Sequence, residues 1–307
     1  MLKLATHNLY RCGPKDYSAW ARDLAVLDPD ILLLQESSEP ALYVGNLPPE
    51  RHAQVHSAIW AQAATNYWGS AIYLKQGSSV EMSLPAELRG WVVGAEVRDL
   101  AWHPASPGPL CVFSIHAPTR VSRDYEGEVN AALDAIASLA TGHAVIIGGD
   151  FNVTVSARHG AEERRNTLGE RAIHRRLRDE FGLINCWQSI HPDEALSQTY
   201  RHFFSDNPQP FHIDGLFVPA AWQPFLKSCE VANGPTWRGT VNHHPPKGGG
   251  FALGATDESA SEQYGTFTGA LPGEPGSGCI GQRLRPSPFY PPEASPAEPA
   301  RVRCSRA

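Results

Sequence analysis

Residues 144–152 read Ala144-Val145-Ile146-Ile147-Gly148-Gly149-Asp150-Phe151-Asn152. The first four form a continuous apolar run of the kind buried on both faces of a sheet. The two glycines are expected to turn the chain there, so that Asp150 and Asn152, one residue apart, face a common cleft. A glycine turn alone explains Gly148 and Gly149 but not the whole block. Polar groups at the end of a buried strand can instead line a site on the rim of a sheet.

Working outward, other strands end in the same way. Thr6-His7-Asn8 closes a strand over residues 3–9. Leu33-Leu34-Gln35-Glu36 closes the apolar run that begins at Ile31. Ser114-Ile115-His116-Ala117-Pro118 closes a strand over 110–115. His212-Ile213-Asp214-Gly215-Leu216-Phe217-Val218 is a late strand, and Trp237-Arg238-Gly239 leads to Asn242-His243-His244-Pro245. Further strands are predicted over 53–61, 70–75 and 91–97. Helices are predicted over 17–27, stopped by Asp28-Pro29-Asp30, and over 124–140, where Val129, Ala132, Leu133, Ile136 and Leu139 make one apolar stripe. A basic amphipathic helix is predicted over 170–181. Many antiparallel-looking strands with a few helices give an α+β protein of two packed sheets with helices outside.

The bulk properties bound the function. With 307 residues, 42% hydrophobic and 19% charged, the chain can bury a full core. No apolar run approaches the roughly 18 residues of a membrane span. The first ten residues read as a strand and not as a secretion signal. The six cysteines (Cys12, Cys111, Cys186, Cys229, Cys279 and Cys304) form no CxxC pair, so reduced thiols and a cytoplasmic location are expected in place of disulfides or zinc. The net charge is -6, and a tight, processive DNA binder usually carries a basic face. An acidic site loaded with a divalent cation still attracts phosphate. Ten glycines between 248 and 281 and eight prolines between 272 and 299 leave too little apolar surface to offset chain entropy. One domain over 1–250 and a disordered tail over 251–307 are therefore expected.

Taken in order, the six blocks resemble the endonuclease/exonuclease/phosphatase superfamily, which includes deoxyribonuclease I and exonuclease III. Its pattern is a strand ending in Asn, a strand ending in Gln-Glu, a His or Tyr block, Gly-Asp-Phe-Asn, an Ile-Asp strand, and finally Ser-Asp-His. The match spans about the first 246 residues. It implies a four-layered αββα sandwich of two mainly antiparallel sheets, and hydrolysis of a phosphoester by in-line attack of water, dependent on Mg²⁺ with Mn²⁺ as a substitute. Glu36 is a hard oxygen ligand of the type Mg²⁺ takes, and Asn8 adds an amide. By resemblance, Asp150 orients or deprotonates the water and Asn152 holds a phosphate oxygen. Asp214 supports His243, and His116 protonates the leaving oxygen or stabilises the phosphorane. Singly, each has a plainer reading: a strand cap for Glu36, a turn for Asn8, a structural imidazole for His116.

Two departures from the pattern stand out. Val241-Asn242-His243 replaces Ser-Asp-His, so Asn242 keeps the oxygen of a metal ligand and loses its charge. Pro246-Lys247-Gly248 then replaces a final apolar strand. Arg158, Arg164 and Arg165, just past Asn152, form either a phosphate-binding lip or the start of a solvated, ion-paired face. Trp187, Trp222 and Trp237 are expected in the core, and His202, His212 and His244 in supporting or surface positions. The substrate is a phosphodiester, nucleic acid included, or else a monoester of an inositol, sugar or lipid headgroup. A non-catalytic binding module is the third alternative.

Overall fold

The computed structural model describes residues 2–9, 27–42, 44–64, 66–100, 109–118, 124–158, 165–197, 199 and 212–231. In chain order the strands are β1 (Leu4–Asn8), β2 (Ile31–Ser37), β3 (Ile59–Gln62), β4 (Gly69–Leu74), β5 (Ser78–Glu81), β6 (Val92–Arg98), β7 (Leu110–His116), β8 (Ala144–Asp150), β9 (Leu183–Asn185) and β10 (Asp214–Pro219). The α-helices are α1 (His52–His56), α2 (Tyr125–Leu139), α3 (Leu168–Arg175) and α4 (Cys186–Ile190). One sheet has the order β1-β2-β4-β3 and the other β5-β6-β7-β8-β10-β9. The pairs β1/β2 and β7/β8 are parallel, and every other pair is antiparallel.

Strand alternation explains the layers. On β2, Ile31 and Leu33 point between the sheets, where they meet Leu4, Ile72, Val112, Ile146 and Leu216. Leu32 and Leu34 point the other way, onto Ala5, Tyr73 and Val55 of α1. A strand covered on both faces needs apolar residues at every position, hence the unbroken run. On the far side of the second sheet, Val129, Ala132, Leu133 and Ile136 of α2 cover Phe113, Ile115, Val145 and Ile147. Asp124 caps α2 by accepting the Gly127 amide at 2.9 Å. The result is the four-layered αββα sandwich expected from the sequence.

Several local expectations are corrected. Residues 53–61 are not one strand. Pro49 opens a 3-10 turn that runs into α1, and the strand starts only at Ile59. The predicted helix over 170–181 starts at Leu168, behind a Thr167/Glu170 capping box, and ends in a π-helical turn over Arg176–Glu180. Gly148 and Gly149 do not turn the chain, because β8 continues through them to Asp150. They are glycines for lack of space. A Cβ on Gly148 would lie 2.7 Å from Leu33 Cδ1, and one on Gly149 (φ +147°) would lie 1.8 Å from the Ile115 carbonyl oxygen. The predicted helix over 17–27, apart from its last residue, and the tail over 251–307 fall outside the described residues. Among the described residues Cys111, Cys186 and Cys229 are buried free thiols, and no helix is long and apolar enough to cross a membrane.

Candidate active site

Parallel pairing brings the ends of four strands to one rim. Asn8 at the end of β1 is in register with Gln35 of β2, and His116 at the end of β7 with Asp150 at the end of β8. The antiparallel β10 enters at the same place, with Asp214 opposite Asp150. Below the rim the two sheets are pinned together. Gln35 Nε2 donates to Ser114 Oγ at 2.9 Å, and Ser114 Oγ donates to the Leu34 carbonyl at 3.0 Å.

Glu36 reaches this rim only because β2 is irregular there. Strict alternation would send its side chain outward with Leu32 and Leu34. A β-bulge between Leu34 and Ser37, with Glu36 at φ +50°, turns it back. Asn152 is also left-handed, at φ +53°. Such a conformation costs a non-glycine residue roughly 1 kcal/mol, and such strain clusters where function requires a geometry. Asp150 and Ala117 hold Asn152 in place. Its amide N–H donates to Asp150 Oδ1 at 2.9 Å, and its Nδ2 to the Ala117 carbonyl at 3.0 Å.

The Asn8 side chain connects the two sheets. Its Nδ2 donates to Asp150 Oδ2 at 2.8 Å and lies 3.4 Å from Glu36 Oε1. Both residues are buried. Two desolvated anions within reach of one neutral amide form a natural cation site. Among the described residues no cluster of three or more His, Cys, Asp and Glu side chains could hold a metal. Mg²⁺ takes one or two carboxylates and completes its shell with water and substrate oxygens, so these residues fit it.

His116 stands beside this pair, with Nε2 3.5 Å from Glu36 Oε1. Trp68 and Trp91 flank its ring, each centroid 5.4 Å away, and its backbone N–H donates to the Trp91 carbonyl at 2.8 Å. Neither tryptophan is recognisable as a site residue from sequence, since both meet His116 only once β4, β6 and β7 are assembled. Thr199 was also missed. Its Oγ1 accepts the backbone amides of Ile213 at 3.0 Å and Asp214 at 3.2 Å, which fixes the entry into β10.

His212, expected in a supporting or surface position, is fully buried. Its Nδ1 is 2.7 Å from the Ser197 carbonyl, and its ring lies 5.1 Å from that of Trp187. Burial pushes its pKa down to about 4, the Arg158 charge pushes the same way, and the Ser197 carbonyl opposes them. The ring is neutral at pH 7. Trp187 and Trp222 lie in the core as expected. Arg176 and Arg178 follow the plainer reading, paired with Asp134 and Glu180 and with Asp179. Arg158 is half-buried and Arg165 exposed. Asn242, His243, Arg164, His202, His244 and Trp237 lie outside the described residues.

The sequence matches the profile of the Endonuclease/Exonuclease/phosphatase family over residues 5–253. The chain belongs to that family. It is thus a phosphoester hydrolase of the endonuclease/exonuclease/phosphatase type. No curated protein sequence matches it significantly. Among solved structures it is similar to a 3′-5′ exonuclease from Neisseria meningitidis, with TM-score 0.58 and 18% identity over 82% of this chain and 99% of the other. It is also similar to a 3′ phosphatase from Neisseria bound to a product DNA hairpin, with TM-score 0.57 and 19% identity over 83% and 99%. An AP endonuclease from Archaeoglobus fulgidus gives TM-score 0.57 and 15% identity over 82% and 98%. At these identities the structural likeness establishes the fold.

Proposed function

We propose that this family member is a divalent-metal-dependent phosphodiesterase, with nucleic acid as the leading substrate class. One observation carries the reading: a single amide, Asn8 Nδ2, lies within reach of the Glu36 and Asp150 carboxylates from opposite sheets. Glu36 and Asn8 would hold Mg²⁺, or Mn²⁺ in its place, with Asn242 contributing its oxygen. The bound ion would neutralise charge on the phosphate and raise its susceptibility to attack. Asp150 then accepts a proton from the attacking water through whichever oxygen the water approaches. One Nδ2 hydrogen of Asn152 is used by Ala117, which leaves the second for a phosphate oxygen. His116 delivers a proton to the leaving oxygen from Nε2, the nitrogen that faces the carboxylates. Asp214 orients His243, which stabilises the developing charge.

Asn242 lacks the charge of the family's Asp, yet the buried Glu36 carboxylate remains to hold the cation, with Asp150 close by. Residues 1–250 form the catalytic domain on this reading, and the family match ending at 253 supports that boundary. Free buried thiols suit a reducing compartment such as the cytoplasm. The net charge of -6 favours a second reading, a phosphomonoesterase on a small substrate. Rates on a bis-aryl phosphodiester and an aryl phosphomonoester, each with and without Mg²⁺, separate the alternatives. Faster diester hydrolysis is expected. Preference for the monoester would move the second reading ahead, and no turnover of either by a folded protein would point to a binding module.

A further inference from the structure

Past Asn152 the chain runs through residues 153–158 without a strand partner, yet it is firmly held. The Thr154 amide donates to Glu170 Oε1 at 2.9 Å, and His174 Nε2 donates to the Thr154 carbonyl at 2.8 Å. His174 has its pKa lowered, chiefly by burial, so the neutral ring is favoured, with its proton on Nε2 where the Thr154 carbonyl accepts it. Asn185 Nδ2 donates to the Val155 carbonyl at 3.1 Å, and Gln188 grips both the amide and the carbonyl of Ala157, at 3.0 and 2.9 Å. Side chains from the α3 and α4 region thus do the work of a β-ladder.

This clamp ends at Arg158. Its backbone N–H donates to Asn166 Oδ1 at 2.9 Å, and its Nη2 donates to Thr154 Oγ1 at 3.3 Å. Its Nε is buried without a hydrogen-bond partner, and no carboxylate among the described residues pairs with the guanidinium. In an acidic protein whose Arg176 and Arg178 are both ion-paired, a held and unpaired guanidinium is a conspicuous cation.

Its position relates it to the rim. The Val155 amide bonds the His212 carbonyl at 3.4 Å, and the Arg158 charge is felt by the His212 ring. His212 leads through Ile213 into Asp214 at the start of β10, opposite Asp150.

We propose that Arg158 binds the phosphate adjacent to the scissile one, which makes the preferred substrate a nucleic acid strand and not an isolated phosphoester. The proposal rests on the phosphodiesterase reading above. The remaining Nη donors of a guanidinium held through its backbone and Thr154 bind phosphate with little further ordering cost.

The test uses the full chain with Mg²⁺ and a tetranucleotide cleaved at its central linkage, in which each of the two flanking linkages is replaced in turn by a neutral methylphosphonate. For the wild type, neutralising one flanking linkage is expected to lower kcat/KM about tenfold, mainly through KM, as for loss of one charged hydrogen bond. In Arg158→Gln the ratio of kcat/KM for the tetranucleotide to that for a bis-aryl phosphodiester falls by a similar factor, and the penalty for the neutral linkage disappears. Arg158→Lys, which keeps the charge and loses the fork, retains part of both. If Arg158→Gln fails to fold, the wild-type and Arg158→Lys comparisons still decide. Equal rates on charged and neutral flanks, or an unchanged ratio in Arg158→Gln, would overturn the role of Arg158 and leave the phosphodiesterase reading standing. No hydrolysis of any phosphoester would overturn both.

Discussion

Asn8 and Asp150 stand 142 residues apart in sequence, on different sheets, and are joined by a hydrogen bond of 2.8 Å from Nδ2 to Oδ2. The geometry of the rim therefore depends on how closely the two sheets approach. Gly148 sets that approach from the second sheet, where an added Cβ would lie 2.7 Å from Leu33 Cδ1, and Gly149 sets the spacing of β8 against β7, immediately before Asp150.

Gly149→Ala tests how closely β7 and β8 are held beneath the rim. The added methyl would meet the Ile115 carbonyl carbon at 2.8 Å and its oxygen at 1.8 Å, backbone atoms that cannot swing away. Loss of roughly 2–4 kcal/mol of stability is expected from overpacking at a position with a positive φ. Urea unfolding measures it directly. A midpoint equal to that of the wild type would show that β7 and β8 are not held so closely.

The buried His212 gives the stability a pH dependence of known sign. Burial holds its folded pKa at about 4, below the ordinary 6.5, so the unfolded chain takes up this proton first as the pH falls. The contribution is complete above pH 6.5 and is lost between there and about pH 4, in total on the order of 3 kcal/mol. His174, also lowered by burial, has the same sign and is unaffected by a change at 212. His212→Gln is expected to be less stable at pH 7 and to lose less further stability on acidification to pH 4. Parallel acid limbs for the two proteins would mean that His212 is not buried as a neutral ring.

Much of the architecture was legible in the sequence because the signals were local. The apolar runs of β2 and β8 and the stripe on α2 each follow from burial of one or both faces. The failures occurred where spacing is set by tertiary contact. Gly148-Gly149 reads as a turn locally, and only the nearness of Leu33 and Ile115 shows why glycine is needed inside a strand. The edge strand β5, Ser-Ser-Val-Glu, is largely exposed and carries no hydrophobic pattern to find. In the site, the identities of Asn8, Glu36, His116 and Asp150 were legible as strand-end polar residues. The bulge that aims Glu36, the two tryptophans around His116 and the clamp beneath Arg158 were not, since each is a relation between distant segments.

The Gly- and Pro-rich C-terminal stretch motivates a truncation. A chain ending at residue 255 is expected to fold and to melt with the full-length protein, as the family match ends at 253. A melt many degrees lower would place part of residues 256–307 in the fold, as the final strand that Pro246-Lys247-Gly248 is too polar to begin.

Hydrolysis of a bis-aryl phosphodiester across a Mg²⁺ titration, for the wild type and for Glu36→Gln, tests the account most directly. Turnover is expected to vanish in chelator and to return with Mg²⁺ or Mn²⁺. Glu36→Gln should need about tenfold more metal for half-maximal rate, because one charge beside a partly buried cation is lost, while its thermal melt stays close to that of the wild type. Undiminished hydrolysis by the wild type in chelator would contradict the central claim that Glu36, Asn8 and Asp150 build a metal-dependent phosphoesterase site.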